Sequence, residues 1–201
     1  MKIIFIAGPS GSGKTTTSKL LIKELKNFYI ISTDNYYKTG FISLVFSKII
    51  RSYFDKLVSL NIRSLKKDIM YILINKKINH TYKYDFRKKS RTKSNKKTLK
   101  IDYLIIEGIF SKEILNLIPS DNCFLINLNI KKHKCLERIL KRDKEERGKN
   151  NRSSLRDFNA GWYIYKKKLY QNFKKDKCHE IVFNETPKIN LILQAITKED
   201  S

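Results

Sequence analysis

The chain is poor in residues that staple, kink or punctuate a fold. Its 201 residues include three cysteines, three prolines, seven glycines, two methionines and one tryptophan. The cysteines (Cys123, Cys135 and Cys178) share no metal-type spacing. This excludes a disulfide framework and a zinc module, and reduced, packed thiols of a cytoplasmic protein are expected. The few prolines and glycines exclude collagen-like and linker-rich architectures. Apolar runs are strand-sized, far short of the ~20 residues of a membrane-spanning helix, so no membrane partner is expected. The apolar stretch at residues 3–7 is cut off by Gly8-Pro9-Ser10-Gly11 too soon for an export signal. Acidic residues are scarce too, 19 against 43 basic ones, for a net charge of +24. Such a field attracts anions. Lysines nevertheless outnumber arginines 34 to 9, whereas phosphate and base-edge recognition favour the bidentate arginine fork. The excess charge therefore reads as solvated surface, the basic run at residues 87–100 as a solvated hairpin loop, and no nucleic-acid partner is expected.

What the chain does contain is an alternation of strand-sized and helix-sized patterns. Apolar strands are predicted at residues 2–7, 28–32, 103–107 and 123–128, with a short last strand at 180–183. Helical spacing covers residues 14–26, 42–53, 62–74, 131–142, 159–174 and 188–197. Residues 77–84 and 98–101 are expected to pair antiparallel around the basic loop. Residues 143–156, charged and containing Gly148, are expected to be mobile. Strands alternating with helices imply an α/β fold. Its sheet would be mostly parallel with helices on both faces, and ligands would bind at the carboxyl ends of the strands. The length suits one domain spanning residues 1–201.

Residues 8–15 carry the most specific signal. Gly8-Pro9-Ser10-Gly11-Ser12-Gly13-Lys14-Thr15 fits G-x-x-x-x-G-K-[ST] without exception, between an apolar strand and an amphipathic helix. Glycines let backbone N–H groups converge on phosphate oxygens, and the helix that opens here adds its positive dipole end. Lys14 is expected to reach the β- and γ-phosphates, Thr15 to ligate Mg²⁺, and Thr16 to lie beside the phosphates. A carboxylate at the end of a neighbouring buried strand would share the metal. Glu107, closing Tyr103-Leu104-Ile105-Ile106, is placed for it. The cofactors expected are thus ATP, or GTP, with Mg²⁺. A kinase acting on a hydroxyl also needs a carboxylate near the γ-phosphate to orient the nucleophile and accept its proton. Asp34, just after the second strand, is the candidate; it would equally suit a helix N-cap.

Further short motifs follow in order. Asp34-Asn35-Tyr36-Tyr37 matches D-x-F-Y, and Phe54-Asp55 opens a partial F-D-x-P-x-x-x-D match. Tyr84-Asp85-Phe86, with Arg91 five residues on, matches Y-D-F-x-x-H-x-R except at the histidine, which is Lys89. Glu107-Gly108-Ile109 matches E-G-I, and residues 142–149 match R-D-x-x-E-R-G-R except at the last position, Lys149. With these motifs the chain resembles the uridine kinase branch of the uridine kinase/phosphoribulokinase family, from the P-loop to about residue 183.

The resemblance implies a P-loop three-layer fold with a small β-hairpin insertion (about residues 77–101) forming the acceptor pocket and a helical lid (about 142–156). It implies catalytic roles for Asp34, Lys14, Arg142 and Arg147. It also implies an acceptor pocket built from Asp55, Tyr37, Tyr84, Phe86, Lys89, Arg91, Arg138 and Lys149. Asp55 would hold the ribose hydroxyls, Tyr84 and Phe86 would line the base pocket, and the two arginines would close over the phosphates. Departures cluster in that pocket. Beside Lys89 and Lys149, Ile139 falls where the family has a ribose-contacting arginine, with Arg138 next to it as a stand-in. Asp157 falls where relatives have a glutamine. The reaction implied is transfer of the γ-phosphoryl group to a hydroxyl, first of all the 5′-hydroxyl of uridine or cytidine. Another nucleoside, nicotinamide riboside, pantothenate or a sugar phosphate stays open as acceptor. A nucleic-acid-linked NTPase is the alternative of a different class, and a homo-oligomer is left open. The histidines (His80, His133, His179) read as surface or packing, and Trp162, Tyr163, Tyr165 and Tyr170 as a helix packing face.

Overall fold

Every residue of the strand Lys2–Ala7 is buried, the mark of a strand covered on both faces. The computed structural model describes residues 1–50, 52–98, 100–119, 122–169 and 178–197. In chain order the elements are β1 (Lys2–Ala7), α1 (Lys14–Glu24), β2 (Phe28–Ser32), α2 (Phe41–Ile49), α3 (Ile62–Asn75), β3 (Ile78–Asp85) and β4 (Ser90–Thr98). They continue with β5 (Tyr103–Glu107), α4 (Ser111–Leu115), β6 (Cys123–Leu128), α5 (Lys132–Arg147), α6 (Asn151–Leu169), β7 (His179–Phe183) and α7 (Ile189–Thr197). Five strands form a parallel sheet of order β2-β5-β1-β6-β7.

The alternation of side chains along β1 splits the core in two. Ile3, Phe5 and Ala7 join Leu104, Ile106 and Leu125 under Leu65, Ile69 and Ile72 of α3 and Ile114 of α4. Ile4 and Ile6 join Ile105, Phe124 and Ile126 under helices α1, α5, α6 and α7, through Leu21, Cys135, Phe158 and Ile192. This is the α/β architecture expected, helices on both faces. Ile6 and Ser32 both stand beside Glu107 in the register. The P-loop, Glu107 and the segment after β2 therefore emerge at one end of the sheet. No described helix is long and apolar enough to cross a membrane.

Three segments differ from the sequence reading. Apolar spacing runs on to Tyr53, but Ser52 is left-handed (φ 53°), so α2 ends at Ile49 and Tyr53–Asp55 forms a separate 3₁₀ turn. The basic run is mostly strand, not loop. β4 pairs antiparallel with β3 from Ile78 to Asp85, and its charges protect an exposed edge instead of marking a hydrophobic period. The turn between them is short. The Asp85 carboxylate accepts from the N–H groups of Arg87 (2.8 Å) and Lys88 (3.0 Å), and Lys89 is left-handed at φ 47°. Residues 143–156 are largely helical, as the resemblance implies. α5 runs to Arg147 and stops at left-handed Gly148 (φ 63°), and α6 starts at Asn151, with the Asn150 side chain accepting from Ser153 N at 2.8 Å. The 159–174 helix thus begins eight residues early, and its end, with Tyr170, lies outside the described residues.

Candidate active site

The P-loop turns over the end of β1 with Gly11 and Gly13 at φ 80° and 97°, conformations that side chains resist. A Cβ on Gly11 would run into the Cys135 carbonyl of α5, so the loop and α5 are in contact there. Lys14 is buried, and its ammonium donates to the carbonyls of Gly8 (3.1 Å) and Pro9 (2.9 Å). Burial pushes its pKa down, and the charges of Glu107 and Asp34 oppose that. Thr15 donates its hydroxyl to Glu107 at 3.3 Å. Glu107 is 6% exposed. Its pKa is pushed up, by burial first and by Asp34 next, against the Ser32 hydroxyl, Lys14 and Thr15. Thr16 lies exposed on the first turn of α1.

This cradle fits a triphosphate and Mg²⁺. The Ser12 hydroxyl is buried in the loop without a hydrogen-bond partner among the described residues. No cluster of three or more His, Cys, Asp or Glu among them is placed to hold a metal alone. One carboxylate and one hydroxyl beside a phosphate site is the donor set that Mg²⁺ uses when phosphate oxygens and water complete its shell.

A cavity of about 460 Å³ opens from Pro9 and Ser10 of the loop. Asp34, Tyr37, Asp55, Phe86, Lys89, Arg142, Arg147 and Lys149 line it. Asp34 sits in the 3₁₀ turn Thr33–Tyr36 directly after β2. Gly108 makes that position available, because a Cβ there would collide with Thr33 Oγ1. Tyr37 is buried, donates to the Phe54 carbonyl at 2.9 Å, and meets Phe54, Tyr84 and Phe86 edge-on with centroids 5.1, 5.3 and 5.8 Å away. Its pKa is raised by burial and then by the carboxylates of Asp34 and Asp55. Asp55 lies against α6. A Cβ on Gly161 would stand 2.9 Å from both of its carboxylate oxygens.

The helix pair α5–α6 closes the opposite wall around Asp143, which is 3% exposed. One of its oxygens accepts from Arg142 Nη2 (2.9 Å) and Nε (3.2 Å) and lies 3.6 Å from Arg147 Nη1. Ser154 of α6 donates to the other at 3.1 Å. Burial raises the pKa of Asp143, but the Arg142 hydrogen bond and the charges of Arg142, Arg147 and Lys149 outweigh it and leave it below the usual value. Arg147 also stacks on Phe86, Cζ 4.1 Å from the ring centroid. That contact ties the lid helices to the β3–β4 turn.

Three expected pocket residues lie elsewhere. Tyr84 is buried behind Tyr37 and Phe86 and does not line the cavity. Arg91 lies over Tyr82, 4.3 Å from its centroid, because its place on β4 directs it along the hairpin. Arg138 grips the P-loop instead, donating to the carbonyls of Gly11 and Ser12, both at 3.3 Å, and to Thr186 at 3.1 Å. Two departures from the family pattern meet: Lys149 pairs with Asp157 at 3.0 Å. Trp162 and Tyr165 line the cavity, while Tyr163 is exposed. His80 meets the buried Asp68 at 3.1 Å, and Tyr36 donates to the same oxygen at 2.8 Å, anchoring the hairpin on α3. Asp143, Ser47 and Gly161 escape the sequence reading. Asp143 alone had a cue, its place inside the R-D-x-x-E-R run.

Residues 4–160 match the AAA domain family. The uridine kinase of Borrelia hermsii is 31% identical over 181 residues, covering 82% of this chain and 80% of that one. The uridine kinase of Macrococcus caseolyticus is 30% identical over 155 residues, covering 76% and 74%. The chain belongs to the uridine kinase family of P-loop kinases. As a family member it is an ATP-using phosphotransferase with a hydroxyl as acceptor. Solved structures share the fold. A fructose transport system kinase candidate from Silicibacter sp. TM1040 superposes with a TM-score of 0.60 at 13% identity, covering 81% of this chain and 84% of that one. The YGR205w protein superposes with a TM-score of 0.58 at 16% identity, covering 90% and 85%.

Proposed function

We propose that this single kinase domain transfers the γ-phosphoryl group of ATP to the 5′-hydroxyl of a pyrimidine nucleoside, uridine or cytidine. The observation that carries this reading is one cavity lined together by the phosphate loop, the Asp34 carboxylate, a second carboxylate, Asp55, and the aromatic side chains of Tyr37 and Phe86. The names of the relatives agree with it. Asp34 takes the proton of the attacking hydroxyl as its oxygen bonds to the γ-phosphorus and the bond to the β-phosphate oxygen breaks, releasing ADP. Asp55 accepts hydrogen bonds from the two vicinal ribose hydroxyls, and the aromatic wall packs on the base. Lys14, Arg142 and Arg147 stabilise charge on the transferred group, and the lid keeps water from competing as acceptor. Thr15 and Glu107 would hold Mg²⁺, which supplies charge neutralisation at the phosphate oxygens.

The test is ADP release from ATP with a panel of acceptors: nucleosides, pantothenate, sugar phosphates, RNA and none. Release that depends on uridine or cytidine is expected. Stimulation only by a non-nucleoside acceptor, or by RNA, would overturn the reading.

A further inference from the structure

Helix α2 has its polarity inverted. Its serines face the protein: Ser43 is buried and donates to the Lys38 carbonyl at 2.9 Å, and Ser47 lines the cavity and donates to the Leu44 carbonyl at 2.8 Å. Its large apolar residues face out, Phe41 79%, Ile49 73%, Phe46 43% and Leu44 38% exposed. No described residue of α2 belongs to either side of the core. A single exposed leucine needs no explanation, but four large apolar side chains exposed along one nine-residue helix form a patch of the kind that marks an interaction surface.

The segments that carry and flank this patch are basic. No Asp or Glu occurs between Asp34 and Asp55, nor between Asp85 and Asp102. Lys48 is exposed and, seven residues on from Phe41, falls on the same side of the helix. The β3–β4 turn sits against α2, Lys89 donating to Ser47 Oγ at 2.9 Å, and so brings the exposed Arg87 and Lys88 beside the patch. The combination narrows the partner. A second copy of the chain would set the same basic groups, on a body of net charge +24, against one another. A nucleic acid would reward the lysines but offers its phosphate backbone nothing to bury Leu44 and Ile49 against. The surface of an anionic bilayer accepts both, apolar side chains at the headgroup boundary and basic ones at the lipid phosphates.

We propose that α2, with the adjacent β3–β4 turn, is a docking surface for an anionic lipid bilayer, Phe41 and Ile49 entering the headgroup boundary while Lys48, Arg87 and Lys88 meet the headgroups. The contact is peripheral and needs no spanning helix, the one relation to a membrane that the short apolar runs exclude. It stands whichever acceptor the kinase uses. Each basic group near an anionic surface contributes about fivefold, so these three give a preference of about ten- to a hundredfold for anionic over neutral vesicles.

The experiment is co-sedimentation of the full chain with vesicles of phosphatidylcholine alone and of phosphatidylcholine with phosphatidylserine. The natural chain is compared with the double variant Phe41→Ser, Ile49→Ser. Both positions are exposed and neither lines the cavity, and the exchange leaves the charge unchanged. Binding to the serine-lipid vesicles is expected for the natural chain, and a loss of at least about tenfold for the variant, at an unchanged thermal midpoint. No binding by the natural chain, or equal binding to both kinds of vesicle, would overturn the inference. So would equal binding by the variant, which would leave the attraction to the lysines alone. Self-association of the natural chain without vesicles, abolished in the variant, would assign the patch to a second copy and overturn it as well.

Discussion

The Asp55 carboxylate lies against Gly161 of α6. The α6 backbone passes so close to the Asp55 carboxylate that a single added methyl group at Gly161 would sit 2.9 Å from each oxygen and 3.0 Å from the carboxyl carbon. Real carbon atoms do not approach that closely, so either the carboxylate or the helix must move. Helical glycine is a poor choice on propensity, about 1 kcal/mol worse than alanine. The position therefore favours stability less than it favours the approach of α6 to Asp55.

Gly161→Ala should accordingly damage acceptor handling while improving intrinsic helix propensity. The acceptor KM is expected to rise roughly ten- to a hundredfold from the displaced carboxylate, with the KM for ATP within about twofold. Steady-state kinetics with each substrate varied in turn separates the two. An unchanged acceptor KM would show that the Asp55 carboxylate does not contact the acceptor.

Asp34→Asn keeps the shape of the 3₁₀ turn after β2 but removes the base. A drop in kcat of about 10²–10⁴-fold is expected, with ATP affinity nearly unchanged in equilibrium binding. Turnover at the natural rate would take Asp34 out of the proton-accepting role.

The central sheet was legible because its four core strands are near-continuous apolar runs ended by glycine or polar turns, and the P-loop because its spacing is fixed by phosphate geometry. Asp34 and Glu107 were legible from the strands they mark, Asp34 as the first acid after β2 and Glu107 as the acid that ends β5. β4 was not, because an exposed edge strand carries its lysines on both faces and shows no period. The helical lid came from the resemblance; helical spacing alone stopped at residue 142 and resumed at 159, because charged residues dominate the stretch between. The residues that join the lid helices, Asp143 and Ser154, are buried polar groups that bond each other from two different helices. Arg138 shows the limit of reading by motif, since its place on α5 aims it at the P-loop carbonyls and not at the cavity.

Asp143→Ala tests the α5–α6 junction. It leaves Arg142 and Arg147 side by side without the carboxylate that holds them, and Ser154 without its acceptor. A loss of about 1–3 kcal/mol of stability is expected from the orphaned buried partners, read as a lower thermal midpoint. A fall in kcat beyond what the unfolded fraction explains is also expected, because Arg147 already has its pKa lowered by burial and by Arg142, with Asp143 the first charge opposing it. Ser154→Ala, which removes one contact but keeps the arginines paired, should show a smaller share of both effects.

Glu107 gives a prediction in which activity and stability move in opposite directions. Its folded pKa lies above 4.5 because burial and the Asp34 charge disfavour its carboxylate. A group whose pKa is raised on folding binds its proton more tightly in the native state. It therefore costs no stability below its unfolded pKa, and the cost grows as pH rises through the folded value and is complete above it. At pH 7, above the unfolded value, the natural chain bears that cost. Glu107→Gln, in the absence of Mg²⁺ and nucleotide, should consequently raise the thermal midpoint at pH 7, and the difference from the natural chain should shrink as pH falls toward 4.5. The same substitution should cut Mg²⁺-dependent turnover, since the amide is a poorer metal ligand than the carboxylate. A variant less stable than the natural chain at pH 7 would show that the Thr15 and Lys14 contacts outweigh the burial of the charge.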